Sequence, residues 1–118
     1  MVDNGISKED IINHIEMCPI NLAMNKLGGK WKPIILHRIQ VGIVDFTILL
    51  KAIPTISKQV LQNQLKELEI DGIIERDIST ENGLSVTFQL TKKGETIIPI
   101  IDMLSEWGAN QMVETNLN

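Results

Sequence analysis

A mainly α-helical domain carrying one small β-hairpin (α+β) is the fold class this sequence predicts, and three observations predict it. Apolar residues recur at helical spacing through most of the chain, as in Leu61, Leu65 and Leu68. Between residues 73 and 90 the period becomes two. Ile74, Arg76 and Ile78 alternate with Ile73, Glu75 and Asp77, and Val86, Phe88 and Leu90 alternate with Ser85, Thr87 and Gln89. The two runs are joined by "TENGL", whose Asn-Gly pair is the strongest short hairpin signal.

Each element has its own start and stop. Ser7 and Asp10 form a capping box that opens a helix over residues 8–17. Pro19 fits the first turn of a second helix, "PINLAMNKL", which Gly28 and Gly29 end. A third covers about Lys30–Gln40, with Pro33 in its first turn where the missing donor costs little. "VGIVDF" is too short for a helix and suits a brief strand. "DFTILLKAI" reads as a helix capped by Asp45 and stopped before Pro54. Thr55-Ile56-Ser57 makes the turn into the next helix, which Gly72 terminates. Thr91 caps a last helix over residues 91–114, with Pro99 marking a kink or late start.

Length and composition bound the rest. The 118 residues make one domain, with 43% apolar and 22% charged residues, an ordinary globular balance. No apolar run is long enough to span a bilayer, and the polar start "MVDNGISKEDI" is unlike a signal peptide. The single Cys18 has no internal disulfide partner, which points to a reducing cytoplasm. The net charge of −4 hides an asymmetry. Lys26, Lys30, Lys32, Arg38, Lys51, Lys58 and Lys66 face one acid, Asp45, between residues 26 and 66; acidic segments flank them on both sides. A basic middle in an acidic chain suits a polyanion-facing surface.

The element order, with a helix-turn-helix, then a hairpin, then a long helix, is that of a winged helix-turn-helix DNA-binding domain. In such a unit the second helix of the turn enters the major groove and the wing lies over adjacent backbone. The helix opened by Ser57 carries Lys58, Gln59, Gln62, Asn63 and Lys66 opposite its leucines. Gln and Asn can bond base edges in pairs, and Lys can reach guanine or phosphate. Acids are absent there because the facing surface of double-stranded DNA is anionic. Asn82, Gly83 and Ser85 form the wing tip, and Lys30, Lys32 and Lys51 are expected on the DNA backbone.

"CPINLAMNKLGGKWKPIIL", "AIPTISKQVLQNQLKELEIDGII" and "LTKKGETIIPIIDMLSEWG" together resemble the HxlR family of MarR-related bacterial transcription regulators. The resemblance covers about residues 18–108. It implies a homodimer on pseudo-palindromic operator DNA that responds to oxidants, electrophiles or another small-molecule signal. In two places the chain departs from the family pattern. Ser85 stands where the wing usually carries a basic residue, and Gln59 and Gln64 hold positions often taken by Lys or Arg. More of the affinity is therefore expected from the helix and the three backbone lysines.

Cys18, just before Pro19, lies where a helix end favours an anion, while Glu16 opposes it. Related regulators use an equivalent cysteine as a redox sensor; the other possibility is a small packed residue. His14 and Cys18 are only two ligand types at helical spacing, too few for a metal site. No nucleophile–base pair, phosphate-binding glycine loop or paired carboxylates stand out, so neither enzymatic activity nor a cofactor is expected. The last helix is apolar on more than one stripe, and Ile97, Ile101, Leu104 and Trp107 are expected at a homodimer interface with the amino-terminal helix. Trp31 and Trp107 suit packing or interface anchors better than pocket walls. The competing function is a winged-helix module whose basic face binds an acidic protein.

Overall fold

A computed structural model describes residues 18–81 and 83–115. The helix expected over 8–17 and the wing residue Asn82 lie outside the described residues. The chain divides into two units, Met1–Lys30 and Trp31–Asn118. The first contains α1 (Pro19–Leu27), which starts with its proline in the first turn and with Cys18 at the N-cap.

The second unit is a winged helix. Its elements are α2 (Trp31–Gln40), α3 (Phe46–Ala52), α4 (Lys58–Ile70), β1 (Ile74–Ser79), β2 (Ser85–Leu90), α5 (Lys92–Glu95) and α6 (Ile98–Glu114). The caps expected at Asp45 and Thr91 form, and Ser57, expected as a turn residue, caps α4 as well. Asp45 accepts from the Thr47 and Ile48 amides at 2.8 and 3.2 Å, Ser57 Oγ from Val60 N at 3.1 Å, and Thr91 Oγ1 from Gly94 N at 3.0 Å. Thr55 holds the turn before α4 at φ 69°, a left-handed conformation costing a β-branched residue about 1–2 kcal/mol.

The core is a set of stripes that meet. Ile35, Leu36 and Ile39 of α2, Leu49 of α3, and Leu61, Leu65 and Leu68 of α4 are all buried. So are Ile73, Ile74 and Phe88 around the hairpin and Ile101 of α6. Burying each such side chain contributes about 1.5–3 kcal/mol, which outweighs the weak helix preference of the β-branched residues in α2. α2 is the hub and touches α3, α4, α6 and β2.

The hairpin pairs antiparallel from Ile74 opposite Leu90 to Ser79 opposite Ser85, and Gly83 at φ 92° makes its tip turn possible. The brief strand expected in "VGIVDF" is reduced to a single bridge between Asp45 and Thr87, beside a 2.9 Å bond from Phe88 N to Val44 O. It nevertheless ties the start of α3 to the wing.

One expected element differs. The last helix is broken into α5 and α6 rather than continuous, with Pro99 in the first turn of α6. Proline cannot donate, and its ring would meet the carbonyl four residues back, so the helix restarts. The short α5 has its own task. Lys93 Nζ donates to the Asp71 carbonyl at 2.8 Å and Thr91 Oγ1 to the Gly72 carbonyl at 2.6 Å, closing the carboxyl end of α4. The base of the wing is thereby fastened to the helix that precedes it.

Candidate nucleic-acid interface

α4 divides cleanly into two faces. Leu61, Leu65 and Leu68 face the core, and Lys58, Gln59, Gln62, Asn63 and Lys66 are exposed. All five exposed residues line one open groove of about 740 Å³, together with Phe46, Thr47 and Leu50 of α3 and Leu84, Ser85 and Val86 of the wing. The floor is amide-rich and basic, whereas the wing-side wall is largely apolar. Asp45 is the groove's one acid, and its Oδ1 accepts from both cap amides. Among the described residues Lys51, Lys58 and Lys66 form no ion pair, so their charges stay available to a polyanion.

Two amides on this face are coupled. Gln59 Nε2 donates to Asn63 Oδ1 at 3.0 Å, one helical turn apart. The bond fixes which way the Asn63 amide turns and leaves its NH₂ group directed away from Gln59. Ser57, expected to touch DNA, is engaged as the cap of the helix.

The three lysines expected on the DNA backbone have different fates. Lys51 is exposed one turn beyond Thr47, which lines the groove. Lys30 is exposed within the first unit. Lys32 is not a surface cation: it is only 6% exposed, and its Nζ lies 2.7 Å from Glu67 Oε1. Position 32 continues the stripe of Ile35, Leu36 and Ile39, so α2 turns it inward, and burying a charge requires a partner. That periodicity is present in the sequence. We expect Glu67→Ala to destabilise the fold by about 2 kcal/mol, less than for a fully buried pair because Glu67 is half exposed. Lys32→Met should be close to neutral and leave DNA affinity unchanged. Urea unfolding of both variants checks this.

Other expected residues also redistribute. Ser85 lines the groove, and Gly83 forms the tip turn. On α6, Ile101 is buried in its own subunit's core and Ile97 is half-buried, so Ile101 is not free for a partner. Leu104 and Trp107 are exposed, and Ile100 and Met103 join them in a stripe at positions 100, 103, 104 and 107. Cys18 is half-buried, with a free thiol at the start of α1. Sequence reasoning missed Arg76 and Leu84, which both line the groove. Strand parity places Arg76 on the same face as Phe88, a signal that the alternation already contains. Among the described residues no three His, Cys, Asp or Glu side chains could share a metal, and no helix is long and apolar enough to cross a membrane.

Comparison with known proteins agrees with this architecture. Residues 26–116 match the family model described as HxlR-like helix-turn-helix. A helix-turn-helix-type transcriptional regulator of Methanothermobacter thermautotrophicus is 37% identical over 105 residues, covering 89% of this chain and 80% of that protein. A MarR-family transcriptional regulator from Porphyromonas gingivalis superposes with a TM-score of 0.74 at 34% identity, covering 88% of this chain and 95% of that one. The reduced form of the redox regulator HypR gives 0.74 at 33% identity, covering 83% and 98%. The groove, the caps and these matches converge: the chain belongs to the HxlR-like helix-turn-helix family and is a transcriptional regulator, not an enzyme.

Proposed function

We propose that the protein works in the cytoplasm as a homodimer on a pseudo-palindromic operator, with α4 in the major groove and the wing along the adjacent backbone. One observation carries this reading: the exposed face of α4 and the wing line a single groove, basic and amide-rich on its floor. The exposed stripe on α6 supplies the surface for a second copy, and two copies give two half-sites one duplex turn, about 34–36 Å, or a multiple of it apart. Selection of duplexes from a random pool tests it. The enriched sequence should contain two inverted half-sites and bind at least about 10³-fold more tightly than random duplex at physiological salt. Uniform affinity for all sequences would instead leave the groove as a charged surface open to an acidic protein partner.

We also place an oxidant response at Cys18, supported by its position at the α1 N-cap and by the likeness to a redox regulator. As the only cysteine, it can form a disulfide with the other subunit's Cys18 or with a small thiol, the oxidant taking up both electrons and both protons. Diamide should change operator affinity in the wild type and leave Cys18→Ser unaffected. Reduced Cys18→Ser should bind like the wild type. An equal shift in both proteins, measured by fluorescence anisotropy, would return Cys18 to packing.

A further inference from the structure

We propose that Arg76 is the wing's phosphate contact, held at the base of the reading groove by Glu69 and handed over to DNA when the groove is occupied. The inference rests on the DNA-binding reading and deepens it. Between residues 73 and 90, Arg76 is the only Lys or Arg, against Glu75, Asp77 and Glu81. Glu75 and Asp77 alternate onto the opposite face of the strand, which leaves Arg76 as the charge its own face of β1 can offer a phosphate. Leu84, Val86 and Phe88 give the wing's wall no charge. Arg76 lines the same groove as Lys58 and Lys66, so the hairpin's single cation stands where the phosphates would pass.

The side chain is positioned but not locked. Its guanidinium carbon lies 5.5 Å from the centre of the buried Phe88 ring, directly across the ladder, and one N–H group donates to Glu69 Oε1 at 3.0 Å. The ring face attracts the cation and helps place it, and a planar fork suits phosphate as well as carboxylate. The Arg76 side chain is 40% exposed and that of Glu69 28%, so water screens the pair and it is readily exchanged. A DNA phosphate has the advantage of counterion release, which a lone carboxylate lacks. Glu69, in the last turn of α4, therefore orients Arg76 in free protein and competes with DNA for it.

Equilibrium binding across a salt series tests the proposal, using the pool-selected duplex and a random-sequence duplex. Glu69→Gln should tighten binding to both by about threefold, since it frees the guanidinium. Arg76→Gln should weaken both by about tenfold and lower the salt slope by about one, whereas Arg76→Lys keeps the slope. In the Arg76→Gln background, Glu69→Gln should have no further effect. An equal gain from Glu69→Gln with and without Arg76 would report net charge alone and overturn the proposal. So would an unchanged salt slope in Arg76→Gln, which would make Arg76 a strut between helix and wing. Glu69→Gln keeps the size of the side chain, so the absence of any gain from it in otherwise wild-type protein overturns the proposal even if Arg76→Gln unfolds the hairpin. A wild type that binds no duplex overturns the DNA reading and this inference with it. Intact wild-type binding with a flat response at positions 69 and 76 removes Arg76 alone.

Discussion

On the dimer proposed above, Leu104→Asp or Trp107→Asp should convert the protein to a monomer and lower operator affinity by about two orders of magnitude or more, the usual scale of lost bivalency. The effect follows from the faces of α6. Ile101 turns into the subunit's own core, whereas Leu104 is 53% and Trp107 66% exposed, and Ile100 and Met103 extend the same stripe. Contiguous exposed apolar side chains of this size mark an interaction surface, and covering a Leu or Trp contributes about 1.5–3 kcal/mol each. An Asp at the centre of that stripe must be desolvated without a partner, which opposes association. In the monomer the same Asp points to water, so the thermal midpoint of the isolated subunit changes little. Ile101→Ala behaves in the opposite way and costs about 2–5 kcal/mol of folding stability through the cavity it leaves. Light scattering at micromolar concentration separates the two classes. A Leu104→Asp protein that remains a dimer would move the interface elsewhere on the molecule.

Local features of this molecule are the ones its sequence makes plain. Caps and period changes are local, so the Asp45 and Thr91 caps and the presence of the hairpin are legible, whereas its register and the Ser57 cap emerge only in the fold. The leucine face of α4 likewise leaves its polar face defined by subtraction. Charge is harder to read. A lysine in a basic segment suggests DNA, but Lys32 lies on the buried stripe of α2 and its charge is answered by Glu67, thirty-five positions along. Pairing at that separation is a property of the packed helices and not of either local sequence. Arg76 fails in the opposite direction. The alternation gives its face of the strand, but only the packing of the hairpin against α4 brings that face to the groove that Lys66 also lines. Pro99 can be read as a break, but the use of the freed turn to close the end of α4 cannot.

Asn63→Ala should lower affinity for the selected duplex by about 1–3 kcal/mol and leave random-duplex binding nearly unchanged. Asn63 lies on the exposed face of α4, lines the groove, and carries an amide already oriented by Gln59 at 3.0 Å. A fixed amide can present donor and acceptor together to an adenine edge without first losing rotational freedom. Gln59→Ala should therefore weaken the same base preference by a smaller amount. The double variant should lose less than the two single losses combined, because the residues share one bond. Gln62→Ala, on the same face but outside that pair, should relax a different operator position independently. Lys58→Ala and Lys66→Ala should act on phosphate contacts. Each should weaken specific and random binding alike and reduce the salt slope by about one for every phosphate no longer neutralised. The distinction is measurable because base readout shifts affinity between sequences, whereas phosphate neutralisation shifts it between salt concentrations. Equal losses on every duplex after Asn63→Ala would take Asn63 out of the base-reading set and leave Gln59 and Gln62 as the amides to carry it.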